Sequence, residues 1–143
     1  MTKIITGQRP VPEGFVQVER SAHFTANNGP FFEKIVDEHT IIRAFRAEKK
    51  HLNSMRFVHG GMLMTFADNA LARAAIYGTG RYSVTIKMNS EFLSPAREGD
   101  WIEAHTDVIR RTKSVIFVRG DLKVGQKTVF KADALFHFVR AGR

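Results

Sequence analysis

The sequence predicts an α+β fold in which a curved antiparallel sheet covers one long helix. Three observations carry that prediction. An apolar segment from Gly60 to Tyr77 repeats at three- and four-residue spacing, the segments after it alternate with period two, and short polar turns separate them. At 143 residues the chain fits a single domain, 1–143, and 43% hydrophobic residues with 12 phenylalanines predict an aromatic-rich core.

Residues 1–14 read as a loose arm, because Gly7, Pro10, Pro12 and Gly14 interrupt any regular element. Phe15 to Val36 is irregular, with a short helical turn expected at Ser21–Ala26 and a break at Asn28-Gly29-Pro30. A strand is expected over Glu38–Lys49, and a polar loop, His51–Arg56, leads into a glycine pair. In the helix, Leu63, Phe66, Ala67, Ala70, Leu71, Ala74 and Tyr77 share the buried face, while Thr65, Asp68, Asn69, Ala72 and Ile76 share a mixed one. Its alanines allow a sheet to approach closely, and Gly78-Thr79-Gly80 stops it.

After Gly80 the period changes. Val84, Ile86, Met88 and Phe92 alternate with Thr85, Lys87, Asn89 and Glu91 in a strand that runs to about Leu93 and ends at Ser94-Pro95. Trp101–Arg110 follows, with Ile102, Ala104, Thr106 and Val108 on one face, and then Ser114–Val124. Thr128–Arg140 alternates most cleanly, with Phe130, Ala132, Ala134, Phe136 and Phe138 opposite Lys131, Asp133 and His137. Turns at Arg97–Asp100, Arg111–Lys113 and Gly125-Gln126 predict an antiparallel meander. One sheet over one helix leaves strand edges and the mixed helix face uncovered, which predicts pairing of two copies.

Composition narrows the function classes. With no cysteine there are no disulfides, thiolate metal sites or cysteine nucleophiles, as suits a reducing cytoplasm. No stretch approaches the ~18 apolar residues of a membrane span, so a soluble cytoplasmic protein is expected. The net charge of +8 favours an anionic partner. Nucleic acid is disfavoured, because neither a helix-turn-helix pattern nor zinc-ligand spacing is present. A metal is also not expected, since His51, His59, His105 and His137 stand at no useful ligand spacing.

The chemistry concentrates in His59-Gly60-Gly61 and Asp68. Two glycines open the helix with its first amides free, and those N–H groups, at the positive end of the helix dipole, suit an oxygen that gains negative charge. Asp68 is a carboxylate on an otherwise apolar helix, well past the first turn where the dipole acts strongly. Eight residues separate it from Gly60, about 12 Å along the axis, too far for both to touch one carbonyl. If both act on one group, Asp68 must come from a second copy whose helix runs antiparallel, so two shared sites follow from a twofold axis.

These residues resemble a known family. His59-Gly60-Gly61, Asp68, Asn53, the alanine-rich helix, Met88-Asn89 and Ser94-Pro95 are together similar to the hotdog-fold acyl-CoA thioesterases of the phenylacetic-acid-pathway (PaaI-like) type, from about Phe31 to Val139. The resemblance implies a hotdog fold and hydrolysis of acyl-CoA to a carboxylic acid and coenzyme A without metal or dissociable cofactor. It also implies homodimers with shared active sites, paired into tetramers. It places Asp68 as nucleophile or general base, the Gly60 amide as oxyanion donor, Asn53 and His59 as groups orienting the thioester or water, and Thr85 as a hydroxyl near the carboxylate.

Given that resemblance, the basic surplus has a candidate partner in the phosphates of coenzyme A, with Arg81, Arg110, Arg111 and Lys113 as contacts. Gly61 and Met62 are expected beside the substrate. Met62, Met64, Phe66 and Phe92 are candidate walls of an acyl pocket. Two alternatives stay open: hydration or dehydration of an acyl thioester on the same fold, and a non-catalytic acyl-CoA-binding protein.

Overall fold

The computed structural model describes residues 9–19 and 22–140. Seven strands form one antiparallel sheet: β1 (Val16–Gln17), β2 (Phe32–Ile35), β3 (Ile41–Arg46), β4 (Ser83–Phe92), β5 (Trp101–Arg111), β6 (Val115–Val124) and β7 (Lys127–Phe138). Helix α1 (His23–Asn28) precedes β2, and α2 (Gly60–Thr79) lies against the inner face of β3 to β7. This is the hotdog arrangement. Among the described residues no helix is long and apolar enough to cross a membrane.

Helix α2 keeps its expected start and stop. His59 caps it by accepting the Gly61 N–H, and Gly80 ends it in the left-handed conformation at φ 69°, where glycine carries no Cβ penalty. Its inner face buries Leu63, Phe66, Ala67, Ala70, Leu71 and Ala74. Phe66 meets Phe45 at 4.6 Å and Phe31 at 5.2 Å between ring centroids, both edge-on. Close approach to the sheet also depends on Gly120, where a Cβ would stand 3.0 Å from Leu71 Cδ2.

The strand order corrects the expected meander. It is β1-β2-β3-β5-β6-β7-β4, so β5 to β7 are consecutive but β4 pairs with β7 and β5 pairs with β3. The 93–100 segment is therefore a crossover and not a hairpin. Its backbone groups are satisfied along the way: Leu93 and Ser94 N–H donate to Val129 O, Val58 N–H to Ala96 O, and Gly99 N–H to Ala47 O. The outer edge of β4 is left without a partner strand among the described residues.

Three boundaries also differ. The strand expected over Glu38–Lys49 is shorter, Ile41–Arg46, because Val36 N–H donates to Thr40 O in a turn before it and Lys49–His51 form a 3₁₀ turn after it. Two strands precede it where irregular chain was expected. Of the expected arm, residues 1–8 lie outside the described residues; Pro10 O accepts from Arg46 at 2.8 Å. Of the helical turn expected at Ser21–Ala26, Ser21 lies outside them, and the helix forms at His23–Asn28.

A charged cluster fastens α2 to β2 and β3. Glu33 accepts from Arg73 Nε at 3.1 Å and from Arg43 Nη2 at 3.3 Å, while Arg43 Nη1 also donates to Asn69 Oδ1. Burial opposes ionisation of Glu33, but the bond and charge of Arg73, with Arg43 beside it, hold its carboxyl below the usual range.

Candidate active site

The geometry begins at the N-terminus of α2. His59 N–H donates to His51 O at 2.8 Å, and the His59 ring turns back so that Nδ1 accepts the Gly61 N–H at 2.8 Å. That bond fixes the tautomer, leaving Nε2 as the other ring nitrogen of an exposed imidazole. The Gly61 amide is thus occupied by the cap, whereas the Gly60 amide has no acceptor among the described residues. A Cβ at Gly60 would stand 3.1 Å from Phe92 Cε1, so the ring lies directly over this turn.

Two turns along the helix, Asp68 Oδ1 accepts from Thr85 Oγ1 at 2.6 Å. Simple alternation places Thr85 on the face away from Met88 and Phe92, and the structure corrects this. Thr85 pairs with Phe136 and Lys87 with Leu135, so Ile86 is an extra residue that reverses the parity of the strand. Thr85 therefore shares the helix-facing side with Met88 and Phe92 and meets Asp68. The pair is open to solvent on one side: Thr85 is exposed and Asp68 partly buried.

Asn53 organises the loop before the helix. Its side-chain oxygen accepts from Met55 N–H at 3.0 Å and Phe57 N–H at 3.1 Å, leaving Nδ2 as its available donor. Met62 is 7% exposed and Phe66 0%; both belong to the core rather than to an open wall. Met64 and Phe92, at 37% and 55%, face outward.

Three of the four basic candidates converge at the far end of α2. Arg81 stacks over the Phe138 ring at 4.0 Å and donates to Lys113 O at 3.1 Å, and Arg111 lies 5.9 Å from the same ring. Arg81 and Lys113 border a cleft of about 730 Å³ that also includes Ser114 and Arg140. Arg110 stands apart: it pairs with Phe117 on the outer face, because a bulge at Ile109 separates its parity from that of Val108.

One structural residue escaped the sequence reading. His51 is 3% exposed, with Nε2–H donating to Asn28 O at 2.7 Å and Nδ1 accepting from Glu48 N–H at 3.0 Å. Burial holds its pKa below the ordinary histidine value. It ties α1 and the 3₁₀ turn to the cap of α2. A histidine three residues after Glu48 at the end of a basic turn was the available signal.

The described chain thus combines a hotdog sheet around one helix, a free amide at the helix start and a hydroxyl-bound carboxylate two turns on. The chain belongs to the thioesterase superfamily, whose pattern matches residues 55–131. It is 34% identical over 129 residues to the Pseudomonas aeruginosa protein PA0474, which carries an esterase name, across 89% of this chain and 96% of that one. Over 100 residues it is 28% identical to human acyl-coenzyme A thioesterase 13, covering 64% of this chain and 71% of the relative. The solved structure of the Escherichia coli PaaI protein from the phenylacetic acid degradation operon superposes with a TM-score of 0.72 at 25% identity, covering 77% of this chain and 80% of that one.

Proposed function

We propose that the protein hydrolyses acyl-CoA thioesters in the cytoplasm, in sites shared between two antiparallel copies. The observation that carries this reading is the Asp68–Thr85 bond on the same helix as the unoccupied Gly60 amide. The thioester carbonyl accepts the Gly60 N–H of one copy, which stabilises negative charge as it develops. Asp68 of the other copy takes a proton from water as the hydroxyl adds to the carbonyl, or its carboxylate adds directly and water hydrolyses the resulting acyl-aspartate anhydride once the thiolate has left. The tetrahedral adduct collapses, the C–S bond breaks, and the coenzyme thiolate leaves and is protonated. Thr85 orients Asp68 by occupying one carboxylate oxygen, which leaves the other for the reaction. Asn53 and His59 orient the thioester or the water through Nδ2 and Nε2.

The pairing is supported by the unpartnered edge of β4, where Tyr82, Val84, Ile86 and Phe92 are all more than half exposed. Phe117 and Leu135 on the outer sheet face favour association of dimers into tetramers. Arg81, Lys113 and Arg111 hold the coenzyme phosphates at the end of α2, about 16 Å along the axis from Asp68. The test is steady-state release of free thiol from a panel of acyl-CoAs. Turnover by the wild type well above Asp68→Ala on at least one substrate supports the reading; equal rates on every substrate overturn it.

A further inference from the structure

Beside Gly60 lies a cleft of about 280 Å³, bordered by Val58, Leu63, Phe92, Leu93, Pro95 and Ala96. Ser94 adds a hydroxyl to this border, but none of the side chains is ionisable, so the cleft suits a neutral, mainly hydrocarbon group and penalises a charged one. Its volume exceeds the roughly 150 Å³ that admits a benzene ring and falls short of the ~300–1,000 Å³ of sites for drug-sized ligands.

Phe92 is the aromatic wall of this cleft. Its backbone is held, since it pairs with Phe130 and the next two residues donate to Val129 O. Its ring contacts the fully buried Phe130 edge-on at 5.1 Å, yet stays 55% exposed. The other side of the ring rests on the Gly60 turn, where the space for a Cβ is only 3.1 Å from Cε1. Val58, Leu63 and Ala96 on the same border are buried parts of the core.

We propose that Phe92 sets the upper size limit of the acyl group by closing the apolar cleft next to the Gly60 amide. This rests on the thioesterase reading and adds to it a single residue that determines specificity. Enlarging the cleft admits longer chains, and filling it excludes them. One methylene in a hydrophobic pocket changes kcat/KM by on the order of 10-fold or more, so the readout is large.

The experiment measures kcat/KM for straight-chain acyl-CoAs from acetyl to palmitoyl, with assembled wild type, Phe92→Ala, Phe92→Leu and Phe92→Trp, each checked for folding by circular dichroism. The quantity compared is the ratio of the longest efficient wild-type substrate to one two methylenes longer. Phe92→Ala is expected to bring that ratio down at least ~10-fold, Phe92→Leu less so, and Phe92→Trp to move the cut-off to a shorter chain. Should Phe92→Ala fail to fold, the Leu and Trp variants decide the matter by shifting in opposite directions. Superimposable profiles, or shifts in the same direction for smaller and larger side chains, overturn the proposal. If the wild type hydrolyses no thioester above Asp68→Ala, it is the underlying thioesterase reading that fails.

Discussion

Thr85 donates its hydroxyl to Asp68 at 2.6 Å from a strand position that a bulge at Ile86 turns toward the helix. A carboxylate held this way keeps one oxygen bound and presents the other. Asp68→Asn, which retains the shape but removes the base, is expected to lower kcat by ~10² to 10⁴. Thr85→Val, which loses only the orienting bond, is expected to cost less, about 10-fold, because a typical net hydrogen bond amounts to ~1 kcal/mol. Single-turnover rates of both variants check the order; a Thr85→Val defect as large as that of Asp68→Asn contradicts it.

The cap of α2 depends on glycine. A Cβ at Gly61 would stand 2.9 Å from His59 Nδ1, so Gly61→Ala displaces the ring and breaks the cap bond. The expected result is a loss of ~1 kcal/mol in stability together with reduced activity. Chemical denaturation and thiol release measure the two effects, and unchanged stability contradicts the cap's contribution.

Glu33 neutralises one of two partly buried guanidinium groups and accepts bonds from both. With side-chain exposures of 20% for Glu33 and 11% and 25% for Arg43 and Arg73, removing its charge leaves two cations facing each other. Glu33→Gln is expected to destabilise by about 3 kcal/mol, seen as a lower midpoint in urea. A change under ~1 kcal/mol contradicts the cluster's role in fastening α2.

Stability is expected to fall in acid in two stages. His51 is neutral in the fold, with Nδ1 accepting an N–H, and its depressed pKa means the unfolded chain binds a proton first. Its contribution is therefore intact above the ordinary value near 6.5 and is lost as pH falls below that toward the folded value. Glu33, also depressed, holds its contribution above about 4.5 and loses it below. Thermal melts from pH 8 to 3 check this. His51→Asn, with no ionisable ring, is expected to flatten the first stage but not the second.

The parts of this fold legible in the sequence are those whose burial is one-sided. Helix α2, β5 and β7 each bury one face and expose the other, so periodicity names them. The entry to β2 does not: Phe31, just before the strand, packs on Phe66 while Phe32, its first residue, packs on Trp101, 5.2 Å away, and burial on both faces erases alternation. Residue counting also passes over bulges. The extra residues Ile86 and Ile109 bring Thr85 inward and send Arg110 outward, and neither is visible as a break in composition. The Gly60–Asp68 spacing was legible because α-helical rise is fixed, and under the proposed function it calls for a second copy regardless of the strand order.

Subunit complementation tests the shared site most directly. Asp68→Ala and Gly60→Val chains are each expected to be inactive, the second because its side chain meets Phe92 and crowds the amide. Co-refolded in equal amounts, they form mixed dimers in which one site joins an intact Gly60 to an intact Asp68. Thiol release should return to about a quarter of the wild-type rate. A mixture that stays at the mean of the two inactive parents contradicts a site built from Gly60 of one copy and Asp68 of the other.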